Sequence, residues 1–159
     1  MILVIMLMAI FFGTVYEVVI VGLHVATAAD QREDVREQLA NALERLSREA
    51  SLASNVDVAE DQQLQFDADI TADGTIDQDI IYRVQNGDLE RSYSGITTVL
   101  ARDLASWDFD YTDLNGTTLS TPVTGNNLNW LRVGLITASA TRGTETVTLA
   151  TAVCLRDNR

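Results

Sequence analysis

The hydrophobic pattern of the chain changes twice. From Met1 to Ala29 the one charged residue is Glu17, and residues 1–16 hold nothing more polar than Thr14. Such a run has no polar side to give to water and cannot be a surface helix. As a helix rising about 1.5 Å per residue it would be roughly 44 Å long, more than the ~30 Å hydrocarbon core of a bilayer. Val35, Leu39, Ala42, Leu46, Ala50 and Ala53 then recur at spacings of three and four, one apolar stripe on an otherwise charged helix. Glu33–Arg36, Glu44–Arg48 and Arg45–Glu49 have the spacings that bring side chains together on its wet side. The pattern predicts one continuous helix over residues 1–54 that stops at Asn55. Its first half suits a membrane or a protein sheath of equal apolarity, its second a globular head.

Beyond residue 55 the period falls from about 3.6 to 2. Leu64, Phe66, Ala68 and Ile70 alternate with Gln63, Gln65, Asp67 and Asp69, and Ile80, Tyr82 and Val84 repeat the pattern. Asn86-Gly87 then supplies the positive φ angles of a two-residue hairpin turn before Leu89–Tyr93. Residues 96–105 read as a short helix or an irregular crossover. Trp107, Phe109 and Tyr111 alternate with Asp108 and Asp110 ahead of an Asn115-Gly116 turn, and the Gly125-Asn126-Asn127 loop leads to two Thr- and Val-rich strands, 128–140 and 144–155, joined around Arg142-Gly143. The expected fold class is α+β: a long N-terminal helix, apolar then amphipathic, packed on a four- or five-strand antiparallel meander. Its sections are 1–29, the transmembrane or filament-core half; 30–55, the amphipathic half; and 56–159, the β-sheet head. Only the stripe from Val35 to Ala53 is available to cover the apolar face of that sheet.

Composition narrows the chemistry. The 159 residues make one modest domain, and 23 acids against 11 bases, all arginine, give a net charge of −12, which repels nucleic acid and acidic lipid headgroups. Residues 49–82 hold nine acids and no base, whereas 114–159 hold four arginines against Glu145 and Asp157. Such polarity suits steering between copies or a solvated acidic face. Cys154 is the sole cysteine and His24 the sole histidine, so no Ser-His-Asp or Cys-His set can form in the head, and no glycine-rich phosphate loop occurs. The expectation is a protein that is not an enzyme.

Two features carry candidate chemistry. Glu17 is costly in an apolar helix unless paired or interfacial, and Tyr16 beside it suits an interfacial anchor. The stretch from Asp69 to Ile80 matches the front of an EF-hand-type calcium loop, with oxygen-bearing Asp69, Thr71, Asp73, Thr75 and Asp77 and glycine at the sixth place, Gly74. Ile80 stands where the bidentate glutamate belongs, with Asp67 or Asp79 as the substitute ligand. The alternative is an acidic hairpin turn bent by Asp73-Gly74.

The segment Gly13-Thr14-Val15-Tyr16-Glu17-Val18-Val19, followed by Ala42-Leu43-Glu44-Arg45-Leu46-Ser47-Arg48-Glu49, resembles the helix of the type IV pilin and type II secretion pseudopilin family, its minor pseudopilins above all. The head motifs Leu64–Asp69, Ile81-Tyr82-Arg83, Asn86-Gly87-Asp88-Leu89-Glu90-Arg91, Phe109-Asp110-Tyr111 and the ending Cys154-Leu155-Arg156-Asp157-Asn158 extend the likeness over most of the chain. The resemblance implies a filament subunit that waits in the bacterial cytoplasmic membrane and is extracted by inner-membrane assembly machinery into a bundle of like or related subunits, rods inward and heads outward. Ala9, Gly13 and Gly22 are then the candidates for close rod packing, with Tyr16 and Glu17 on the same assembly helix. The family also implies a basic leader ending in glycine and a glutamate near the mature N-terminus. The chain opens Met1-Ile2-Leu3-Val4-Ile5 and shows neither, and Glu17 lies about three helical turns too far along to be that glutamate. The competing expectations are a monotopic membrane-anchored binding module, calcium-dependent through the Asp-rich loop, and a secreted β-domain cut near residue 29. No basic n-region precedes Arg32 to favour the latter.

Overall fold

The computed structural model describes residues 2–142 and 145–155. One α-helix, α1 (Ile2–Ser51), runs through the apolar and amphipathic halves without a break. Val35, Leu39, Ala42, Leu46, Ala50 and Ala53, the stripe read from spacing, are all buried, and Leu43 joins them. The helix ends three residues short of the expected Ser54, where the Leu52 N–H donates to the Glu49 carbonyl at 3.1 Å. Asn55, expected as its stop, lies inside strand β1 (Ala53–Ala59) instead. Pairing of Ala53 with Ala68 and Val56 with Phe66 gives this backbone sheet partners, which outweigh one more helical turn.

Strands β1, β2 (Gln63–Ala68), β3 (Asp77–Gln85), β4 (Asp88–Tyr93) and β5 (Ile96–Ala101) form a five-stranded antiparallel sheet in chain order. A second sheet holds β6 (Leu104–Thr112), β7 (Thr118–Leu119), β8 (Arg132–Arg142) and β9 (Glu145–Ala152) in the order β7-β6-β8-β9. The single meander expected from the sequence is thus corrected to two antiparallel sheets. The pivot is Asp103, whose φ of 57° turns the chain after β5; the Leu104 N–H then bonds to the Gly87 carbonyl at 2.8 Å and the Thr141 N–H to the Asp103 carbonyl at 2.9 Å. Residues 96–105 are therefore strand on both sides of a corner. A 3-10 helix (Gly125–Trp130) takes the place of the expected loop and delays β8 to Arg132. Gly143 of the Arg142-Gly143 joint lies outside the described residues, as do the Arg142 side chain and Arg156, Asp157 and Asn158 of the ending.

The hairpin at Asn86 (φ 54°) and Gly87 (φ 80°) is formed as read, with Gln85 paired to Asp88. A second tight turn at Ser94-Gly95 joins β4 to β5. The inward positions of β2, β3 and β6 are those of the alternation: Leu64, Phe66, Ala68, Ile80, Tyr82, Trp107, Phe109 and Tyr111 are buried. The second half of α1 closes this core, lying against β8 and β9 of one sheet and β2 and β5 of the other. Val35, Ala140 and Val147 form a small cluster at the end of the head from which the apolar half of α1 projects.

Candidate functional site

The projecting half of α1 is bare. Phe11, Phe12, Val15, Tyr16, Val18, Val19, Val21, Leu23 and Val25 are exposed, Phe11 by 64% and Val18 by 71%. By length and composition this helix can cross a membrane, and none of its apolar window is covered by the head.

Because α1 is continuous, the sides of this rod can be referred to the head. Eighteen residues make about five whole turns, so a residue and its counterpart eighteen places on share a side. Glu17, Val21, His24 and Ala28 thereby align with Val35, Leu39, Ala42 and Leu46, all four buried against the head. Val15, Val18, Val19, Gly22, Leu23 and Ala26 align with Glu33, Arg36, Glu37, Ala40, Asn41 and Glu44, all exposed on the side away from it. The rod therefore has a back of Val, Leu, Ala and Gly with Tyr16, aligned with the exposed Asp34, at its edge, while Glu17 and His24 stand on the head side. Further along, the same back is charged.

The two threonine hydroxyls of the rod are satisfied locally. The Thr14 hydroxyl donates to the Phe11 carbonyl at 2.9 Å and that of Thr27 to the carbonyls of Leu23 and His24 at 3.0 Å, so neither presents a free donor to an apolar neighbour. Glu17 and His24 have no hydrogen bond or ion pair among the described residues. Of the candidates for close rod packing, Gly13 and Gly22 are nine places apart, about two and a half turns, and point to opposite sides. Gly22 belongs to the apolar back, Gly13 to the head side, and the Ala9 side chain lies outside the described residues. Neither a protein-family model nor a curated protein matches this chain.

The Asp-rich stretch forms the β2–β3 connection. Asp69 accepts from the N–H groups of Asp73 (3.2 Å) and Gly74 (2.9 Å), and Asp73 accepts from that of Thr75 at 2.7 Å, which holds the Asp73 carboxyl below its ordinary value. Asp77 receives the Ile70 N–H and the Tyr93 hydroxyl. Asp79, one place into β3's outward face, accepts from Gln65 at 2.7 Å, while Asp67 takes the Asp79 N–H at 3.0 Å. The loop carboxylates build the turn, and among the described residues no group of three or more His, Cys, Asp or Glu is placed to hold a metal ion. Thr71 is exposed at the tip.

Near the C-terminal end of α1, where its docked half meets the five-stranded sheet, lies a cluster that spacing alone did not reveal. Glu49, read as a wet-side partner of Arg45, makes that contact at 3.0 Å but is only 6% exposed. Its other oxygen accepts from Arg91 Nε at 2.7 Å and from the Tyr82 hydroxyl at 2.8 Å. Arg91, also 6% exposed, lies over the Tyr93 ring with its guanidinium carbon 5.3 Å from the centroid. Burial by itself would raise the Glu49 carboxyl, but hydrogen bonds from Arg91, Arg45 and Tyr82 outweigh it and hold the group below its ordinary value. Burial and the neighbouring carboxylate push the Tyr82 hydroxyl far up. The signal was present in the strand period: Arg91 follows Leu89 by two on the inward side of β4, where a cation requires a buried partner. The pairs Glu33–Arg36 and Glu44–Arg48 do not close.

Proposed function

We propose that this chain is a non-enzymatic structural subunit of a type IV pilus-like or type II secretion pseudopilus filament, assembling through the apolar half of α1. Before assembly it waits in a bacterial cytoplasmic membrane as a single-pass protein with its head outside the cytoplasm. Its partners are like or related subunits and the inner-membrane assembly machinery, not nucleic acid.

The observation that supports this reading is the sidedness of the rod. Lipid around a solitary anchor treats all sides of a helix alike. A bundle does not, because subunits whose heads point outward must meet through the sides that face away from the heads. Apart from Tyr16 at its edge, that side is Val, Leu, Ala and Gly from Val15 to Ala26. Lipid and a protein sheath are about equally apolar, so close packing of rods and contacts between heads bias the transfer. A patch of one subunit meeting a different patch of the next gives an open helix rather than a closed ring.

Electron microscopy during detergent removal tests the proposal, using the full-length protein and a variant lacking residues 2–28. Rods from the full-length protein and monomeric heads from the variant are expected. A full-length protein that enters vesicles singly at every concentration is a membrane-anchored module and refutes it.

A further inference from the structure

The strands of the five-stranded sheet are stacked along α1. Strand β1 begins where the helix ends, Tyr82 of β3 and Arg91 of β4 reach it at Glu49, and residues 99–103, at the end of β5, lie against Gln38. The Thr141 N–H bonded to the Asp103 carbonyl ties that end of β5 to the Val35–Ala140–Val147 cluster, beside which the rod leaves the head. Strand β5 is thus the edge of the sheet nearest the rod. It also differs from its neighbours in charge: β1 to β4 each carry at least one charged residue, whereas β5 carries none, and its Ile96 is 70% and Val99 38% exposed. Charge is a common guard of an exposed strand edge, and here it is missing.

We propose that β5 is a seat for the membrane surface: with the rod in a bilayer, the head leans toward β5 and rests Ile96 and Val99 in the headgroup layer. Charged residues crowd the helix from Asp30 on, so the hydrocarbon ends near Ala29. Gln38, nine residues further, stands about 14 Å above it, and the headgroup layer is about 5–8 Å deep. Ile96 lies five residues from the buried Ala101, about 16 Å along the strand. A helix tilt of about 20° lowers that end by about 6 Å, to the top of the headgroup layer, where the isoleucine side chain enters it. Tilt is expected in any case, because the apolar run, about 44 Å long, exceeds a core of about 30 Å. The unpaired N–H and C=O groups of the edge set its depth at the headgroups, which offer hydrogen-bond partners that hydrocarbon does not. The seat rests on the rod lying in a membrane and not on polymerisation.

Lipid quenching of a fluorescent label tests this with the full-length protein in phosphatidylcholine vesicles, in a Cys154→Ser background. The label is placed on Thr98→Cys of β5, with Val25→Cys in the rod and Leu114→Cys beyond the far end of β6 as references, all exposed. Nitroxide lipids, labelled at the headgroup or high on the chain, should quench Thr98→Cys several-fold more than Leu114→Cys at every protein-to-lipid ratio. Ile96→Asp/Val99→Asp should bring Thr98→Cys down to the level of Leu114→Cys, and Ile96→Ser/Val99→Ser serves if the aspartates prevent folding. Quenching that survives loss of both apolar side chains overturns the seat. An unquenched Thr98→Cys beside a quenched Val25→Cys overturns it too, while leaving the rod in the membrane; no quenching at either position overturns both. A Thr98→Cys label shielded from water only as protein density rises marks a second copy as the occupant of β5 and overturns the seat.

Discussion

Replacing Glu49 by glutamine keeps the size of the side chain and a carbonyl acceptor for Tyr82 but removes the charge opposite Arg91. Both groups are 6% exposed, so water cannot take over the stranded guanidinium. Removing one partner of a buried pair costs about 3–5 kcal/mol, and the retained acceptor argues for the lower end, about 3 kcal/mol. For a head of this size that is a fall in melting temperature of about 10 °C. Arg45, whose side chain is 40% exposed, provides the control: Arg45→Met should cost about 0.5 kcal/mol, because an exposed i,i+4 pair contributes little. Glu49→Gln/Arg91→Met removes the stranded cation and should be less damaging than Glu49→Gln alone. Urea unfolding in mild detergent, followed by tryptophan fluorescence, reads all three. A Glu49→Gln cost below about 1 kcal/mol, or a double variant no better than the single, would refute the argument from burial.

Further expectations follow from the same geometry. Glu49 is held below its ordinary carboxyl value, so its contribution is complete above the unfolded value of 4.5 and disappears as the pH falls through the folded one; acid titration of the wild type should show this loss, and Glu49→Gln should lack it. Tyr82 and Tyr111 are held above their ordinary value of 10.0, so stability should decline as the pH rises past it, with tyrosinate absorbance appearing only on unfolding. Trp107 Nε1 is buried without a partner, so Trp107→Phe should cost under about 1 kcal/mol in a denaturant titration, whereas Trp107→Ala should cost about 3–5 kcal/mol. Gly87 sits at φ 80°, and Gly87→Ala should destabilise the hairpin by about 1 kcal/mol in the same assay.

The parts of the fold that were legible in the sequence are those where one periodicity operates without competition. The stripe from Val35 to Ala53 had no rival period, and the alternation through Phe66, Tyr82 and Phe109 is uninterrupted, so helix, inward faces and the Asn86-Gly87 hairpin could be read directly. Strand β1 could not, because Ala53 satisfies both the helical stripe and the strand that replaces it. The division into two sheets depends on Asp103 adopting a positive φ, which an aspartate permits but does not announce. The sides of the rod were hidden for a different reason: a run apolar on nearly every side shows no orientation until its lower half is docked, and only then do Glu17 and His24 fall in line with Val35 and Ala42. Glu49 was misjudged because its helical neighbour Arg45 offered a sufficient surface partner, while Tyr82 and Arg91 are remote in sequence.

In the proposed filament the rods meet through the side turned away from the heads. Photocrosslinking in the native membrane tests it most directly, with a benzophenone amino acid placed in turn at Val15, Val18, Val19, Gly22 and Leu23, and at Glu17 and His24 on the other side. Ladders of crosslinked subunits are expected from the first five positions and few or none from Glu17 and His24. Adducts to lipid alone at all seven positions, or ladders strongest at Glu17 and His24, would contradict it.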